Sequence, residues 1–260
     1  MARSPSGRRG NLNRQNSDTW SNKTMILTGH QPNYLPYLGF FHKVYHSDLF
    51  VIVDNVQYVK RGPFGWVSRN RIKTATGPQW LSVPVLVKGK FEQKIMETLI
   101  NPELPWGRKH WKSLLVNYGK TPYFYKYADF FEEMYMKRSW ENFCDLSCHF
   151  ILYLLKSFGI DRPVKKASEI GASGKGDELI LDMCEKTGAD QYLHGKHGKD
   201  YADETKFSAR KIRSLYQEFD HPVYHQQFGE FVPNLSAIDL LFNYGGESLD
   251  ILLGRKKVNL

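Results

Sequence analysis

The chain has 260 residues, 41% hydrophobic and 24% charged, with 14% aromatics and a formal net charge of +9. That aromatic share excludes intrinsic disorder of the body, and the length suffices for one large domain with its own core. No apolar run approaches the roughly 18 residues of a membrane span. Three cysteines are too few for a disulfide framework, so a reducing cytoplasm is the expected setting.

Residues 1–24 carry four Arg and one Lys against a single Asp, so nearly half of the net charge lies there. With little apolar content and no periodicity, they are expected to form a disordered basic tail ahead of one domain over 25–255. The run 25–29 (MILTG) reads as a strand. It leads into the proline-punctuated loop 30–36 (HQPNYLP), where Pro36 suits the first turn of a helix. Leu38, Phe41, Val44 and Tyr45 then share one helical face, and 49–53 (LFVIV) is an unbroken apolar strand closed by Asp54 and Asn55. Strand, helix and strand in about thirty residues have the length of a βαβ unit, and the unbroken second strand implies burial on both faces.

Two extended segments, WVSRNRIKT and QWLSVPVLV, flank Ala75-Thr76-Gly77-Pro78 as a hairpin. Residues 106–158 form a mostly helical insertion closing on Gly159. A second βαβ unit follows: strand 163–168, a glycine-rich loop at 171–176 (GASGKG), and a helix 177–186 with Leu179, Ile180, Met183 and Cys184 inward. Its last strand, 191–194, runs into Gly195 and Gly198. Segment 207–219 fits helix or strand, and 235–253 offers two short helices broken at Gly245-Gly246. The expected class is α/β, a mostly parallel sheet built from two βαβ units with the hairpin and helical insertion between them.

Open parallel sheets bind ligands beyond the carboxyl ends of their strands. That rule selects His30 and Gln31, then Asp54 to Gln57, then Ser173 to Lys175, then Gly195 to Tyr201 with Asp200 among them. His30 is either a base, a phosphate donor or a loop histidine; Asp54 is either a turn cap or a ligand or base, orienting His30 or binding a cation. Ser173-Gly174-Lys175 precedes a helix N-terminus, which suits an anion or a plain polar helix entry. The Gly195–Gly198 turn is an anion nest or a solvated turn.

The stretch Lys60 to Lys73 is basic throughout and holds no acid. On a strand, Arg69 and Arg71 share one face and Asn70 takes the other, a pair of forks suited to phosphate or carboxylate. Too few exposed aromatics accompany them for a nucleic-acid stacking platform, so an anionic small molecule is the expected partner. Cys144 and Cys148 lack a second ligand cluster with zinc spacing, and their apolar neighbours point to buried thiols. No G-x-S-x-G elbow, HExxH or dinucleotide fingerprint occurs, and the residues imply no particular cofactor.

The string HQPNYLPYLG at 30–39 resembles the opening motif of the WbqC-like protein family. Further matching strings are Val56-Gln57-Tyr58, RNRIKT at 69–74, QWLSVPV at 79–85 and HPVYHQQFGEFVPNLSAIDLLFN at 221–243. The resemblance spans roughly 25–254. It implies a bacterial protein associated with O-antigen and other surface-polysaccharide biosynthesis. The expected activity is transfer on an activated sugar or phosphate-bearing metabolite, with an acyl or aminoacyl transferase and a glycan-binding module as alternatives. His30 and Asp54 are the expected catalytic pair. Gln31, Asn33, Tyr34, Gln57, Lys60, Arg69, Asn70, Arg71, Ser173, Lys175, Gly195, Asp200 and Tyr201 are the expected substrate-binding set.

Overall fold

A computed structural model describes residues 24–60 and 66–258. The expected basic tail therefore lies outside the described residues except for Thr24, as does 61–65 of the basic stretch.

Five parallel strands make the main sheet: β1 (Ile26–His30), β2 (Leu49–Ile52), β5 (Val164–Lys166), β6 (Gln191–His194) and β7 (Arg213–Tyr216), in the order β5-β2-β1-β6-β7. Both expected βαβ units are present. In the first, α1 (Leu38–Tyr45) connects adjacent strands; in the second, α5 (Asp177–Thr187) carries the chain from one edge past β2 and β1 to β6. All four residues of β2 are buried, as its unbroken apolar run requires. Pro36 lies one residue before the α1 N-cap, Tyr37, so the proline shapes the entry loop and not the first turn.

Because the chain winds outward from β1 in one direction and then returns to wind in the other, its crossing helices fall on opposite faces. Phe40, Phe41 and Val44 of α1 join Phe50 and Ile52 in the larger core. Leu179, Leu181 and Met183 of α5 join Leu27, Val51 and Tyr192 in a second, smaller core. The helical insertion packs on the larger side. It comprises α2 (Trp106–Tyr118), α3 (Phe124–Glu132) continued by a π-helical stretch Glu133–Lys137, and α4 (Phe143–Phe158). Gly159 ends α4 in the left-handed conformation that favours glycine, at φ 73°. Cys144 and Cys148 are buried on α4, as expected of structural thiols, although Leu152 faces solvent.

The hairpin forms a separate two-stranded sheet, β3 (Arg69–Thr74) with β4 (Gly77–Ser82). Its turn is tighter than the sequence suggests: Thr74 pairs with Gly77, so Ala75 and Thr76 alone make the loop and Pro78 belongs to the strand. The ambiguous segment near 207–219 resolves into both alternatives. A short helix α6 (Glu204–Ala209) is followed by β7, the fifth strand. The chain ends in α7 (Ile238–Tyr244) and α8 (Ser248–Leu252), parted at Gly245–Glu247. No helix among the described residues is long and apolar enough to cross a membrane.

The C-terminal segment fastens the hairpin over the main sheet. The Ser236 N–H donates to the Arg71 carbonyl and the Ala237 N–H to the Pro36 carbonyl. Beneath it, the buried Asp239 carboxylate accepts from Tyr118, Tyr224 and Gln226 at 2.8–2.9 Å. These three donors compensate the loss of water around a buried carboxyl.

Candidate functional site

A cleft of about 630 Å³ opens where strand order reverses, at the carboxyl ends of β1 and β6. This is the switch point at which open α/β sheets bind ligands, and the volume suits a small organic molecule. Its floor carries Gly29, His30 and His194. One wall is apolar, from Leu179, Ile180, Met183 and Tyr192; the opposite wall is the hairpin, with Trp66, Arg69 and Arg71.

His30 ends β1 against Phe40, with ring centroids 4.8 Å apart. Its Nδ1 lies 3.0 Å from the Gln31 carbonyl oxygen. A carbonyl only accepts, so Nδ1 carries the proton and Nε2 is left with a free lone pair. Burial of the ring, reinforced by the Lys43 ammonium, lowers the His30 pKa to about 3, so the imidazole is neutral. His194 is held to about 4 by burial and the same ammonium, and its buried Nε2 has no hydrogen-bond partner. Gly198 sits against it: a Cβ there would fall 2.4 Å from the His194 Cβ, so the turn approaches this closely only with glycine.

Lys43 is the cation at the centre. It projects from the buried face of α1, and its Nζ donates to the Gly29 carbonyl at 2.9 Å. Among the described residues no carboxylate lies within ion-pair distance of it. Burial brings its pKa down to about 8, so at neutral pH it remains largely an ammonium without a counter-ion.

Arg69 and Arg71 project from alternate positions of β3. The Arg69 guanidinium lies 4.5 Å from the Trp80 ring centre and the Arg71 guanidinium 5.6 Å from it, which orients both planes. Neither pairs with an acid among the described residues, and both Nε atoms are buried without partners. Asn70 also touches the cleft, but its amide is committed to the Leu35 carbonyl and the Arg71 N–H. Gln31, Asn33, Gly195 and Tyr201 complete the expected residues found here, and Asn33 presents a buried Oδ1 without a donor.

The remaining expected residues lie elsewhere, each for a visible reason. Asp54 does not orient His30: its carboxylate accepts from the Ser168 N–H at 3.0 Å and hydroxyl at 2.5 Å, clasping the ends of β2 and β5. Tyr34 is wholly buried, its phenol shared with His110 at 2.8 Å and with Tyr135, so it anchors the entry loop to the helical insertion. Gln57 donates to the Phe91 carbonyl, and Lys60 is exposed outside the cleft. Ser173 donates its N–H to Asp182 at 2.7 Å, and Asp177 and Glu178 occupy the first turn of α5. Protein carboxylates thus already fill the place an anion would take there, and Lys175 points to solvent. In the Gly195–Tyr201 turn the N–H groups of Gly198, Asp200 and Tyr201 bond to the turn's own carbonyls, and exposed Asp200 pairs with His197.

Sequence reading missed Lys43, Tyr37, Tyr192, His194 and Asn234, all of which line the cleft. A signal existed for Lys43: it falls four residues after Gly39 and three after Phe40, on the apolar stripe of α1. His194 ends a strand, where the same rule selected only residues after it, Gly195 to Tyr201.

The WbqC-like protein family model matches residues 31–251. The chain is also similar to uncharacterized protein Rv1507c of Mycobacterium tuberculosis (strain ATCC 25618 / H37Rv), 35% identical over 223 residues, covering 85% of this chain and 95% of that one. No solved structure matches. The match runs from the entry loop through α7 into α8, ending one residue short of its last, and takes in both walls of the cleft; the chain belongs to the WbqC-like protein family.

Proposed function

We propose that this protein is a transferase that binds an activated, phosphate-bearing sugar donor in the switch-point cleft, in bacterial surface-polysaccharide assembly. The observation that carries the reading is Lys43: a buried ammonium with no carboxylate partner among the described residues, facing a cleft whose other wall presents two guanidiniums that also lack an acid there, Arg71 donating only to the Asn234 carbonyl. An uncompensated buried charge is costly, and a bound anion removes that cost. The neutral imidazole of His30 suits the acceptor side. Its free Nε2 takes the proton of an acceptor hydroxyl or amine as that atom bonds to the transferred carbon. The electron pair of the breaking bond goes to the donor phosphate, whose charge Lys43, Arg69 and Arg71 stabilise. Burial is the larger cause of the lowered His30 pKa; a phosphate beside Lys43 offsets the second, the ammonium's field, and so raises its basicity.

The apolar wall of Leu179, Ile180 and Met183 favours a second reading, an acyl or aminoacyl transferase onto an amino sugar. The two separate in a thermal-shift and turnover screen of nucleotide sugars and acyl carriers with the full chain. Stabilisation by nucleotide sugars, with turnover lost in His30→Ala while binding persists, supports the first. Stabilisation by acyl carriers alone transfers support to the second. Unchanged turnover in a folded His30→Ala variant removes His30 from the chemistry.

A further inference from the structure

The cations of the cleft come from two separate elements. Lys43 reaches the floor from α1, whereas Arg69 and Arg71 hang from the hairpin, which belongs to a different sheet. Some surface cations in the described residues pair with acids, as Arg210 does with Glu178 and Glu185 and Lys186 with Asp182. The cleft cations have none. A buried lysine spending one donor on a single carbonyl has two more N–H groups to place. The two guanidiniums are held by Trp80 with their Nε atoms buried and unbonded. The two sets stand on separate elements around a cleft of about 630 Å³, and a ligand with two linked phosphoryl groups offers one to each set.

We propose that the cleft recognises a diphosphate bridge, one phosphoryl group held by Lys43 at the floor and the other by Arg69 and Arg71 on the hairpin. The proposal rests on the reading of this cleft as the donor site and narrows what the donor carries. The unpartnered Asn33 Oδ1 accepts a hydroxyl or N–H of the group attached to the bridge, and Leu179, Ile180 and Met183 cover its apolar portion. Nucleoside diphosphate sugars and coenzyme A share this diphosphate diester, so the bridge is common to both readings of the transferred group.

The test is equilibrium binding of inorganic pyrophosphate and orthophosphate to the full chain, then competition by a nucleoside diphosphate hexose and by coenzyme A. Pyrophosphate is expected to bind at least about tenfold more tightly, the effect of one additional charge-assisted contact. Lys43→Met is expected to bring pyrophosphate to the orthophosphate level while changing orthophosphate binding by less than about threefold. Arg69→Leu/Arg71→Leu, at half-buried positions of β3, should do the same and stands in if the Lys43 substitution does not fold. Equal binding of the two anions to the unmodified protein, or a parallel fall of both in the variants, overturns the bridge. If pyrophosphate is preferred and displaced by coenzyme A only, the bridge stands and the sugar-donor reading falls. If the nucleotide sugar binds without any diphosphate preference, the bridge falls and that reading stands.

Discussion

Lys43 Nζ donates to the main-chain carbonyl of Gly29 at 2.9 Å, one residue before His30. This contact fixes a helix to the carboxyl end of the first strand at the point where strand order reverses. It also places an ammonium near enough to His30 and His194 to depress both imidazoles.

The pH dependence of anion binding should follow Lys43 and not histidine. With the lysine near 8 and the two histidines near 3 and 4, affinity for a nucleoside diphosphate hexose, whose diphosphate diester does not titrate in this range, is expected to be flat from about pH 5.5 to 7. It should fall as pH rises through about 8 to 9, as the ammonium loses its proton. Calorimetric titration across this range checks it, and a fall centred near pH 6.5 would assign the binding charge to a histidine.

Lys43→Met should stabilise the fold while weakening the ligand. The folded protein holds this lysine near 8, against 10.5 for an ordinary lysine, so the unfolded chain binds more protons between those values and stability rises with pH there. Below about 8 the charged form opposes folding, so methionine is expected to gain roughly 1–3 kcal/mol at neutral pH, less the bond to Gly29. Denaturant unfolding at pH 7 and 10 measures both the gain and its disappearance at high pH.

Tyr34→Phe should cost stability without touching the cleft. The phenol bonds His110 and Tyr135 in a dry interior, and losing it leaves buried partners unsatisfied at about 1–3 kcal/mol. Ligand affinity of the folded variant is expected to stay within about twofold, because Tyr34 does not line the cleft. A large affinity loss at unchanged stability would restore Tyr34 to the binding set.

Asp54→Asn and Ser168→Ala should each destabilise by about 1–3 kcal/mol, and the double variant by clearly less than their sum. Their shared contact joins β2 to the segment after β5, and neither residue lines the cleft. Turnover per folded molecule is accordingly expected to persist in both variants. Its abolition in Asp54→Asn alone would return the carboxylate to the chemistry.

Local pattern determined much of this protein. The unbroken run of β2, the glycine that ends α4, the alternation of Arg69, Asn70 and Arg71, and the apolar periodicity of α5 each depend on neighbours a few residues away. The sequence therefore fixes them before any packing is known. The same logic located the binding edge of the sheet, since ligands collect beyond the carboxyl ends of parallel strands wherever those strands fall. Strand order is a long-range property, and only the tertiary structure decided that the reversal lies between β1 and β6. That order sorted the candidates. It brought His30, Arg69 and Arg71 to one cleft, turned Asp54 and Tyr34 to structural partners, and exposed Lys43 as a cation without an acid. A side chain's hydrogen-bond partner is set by what the fold carries to it from over a hundred residues away, as Ser168 is carried to Asp54 and Tyr135 to Tyr34.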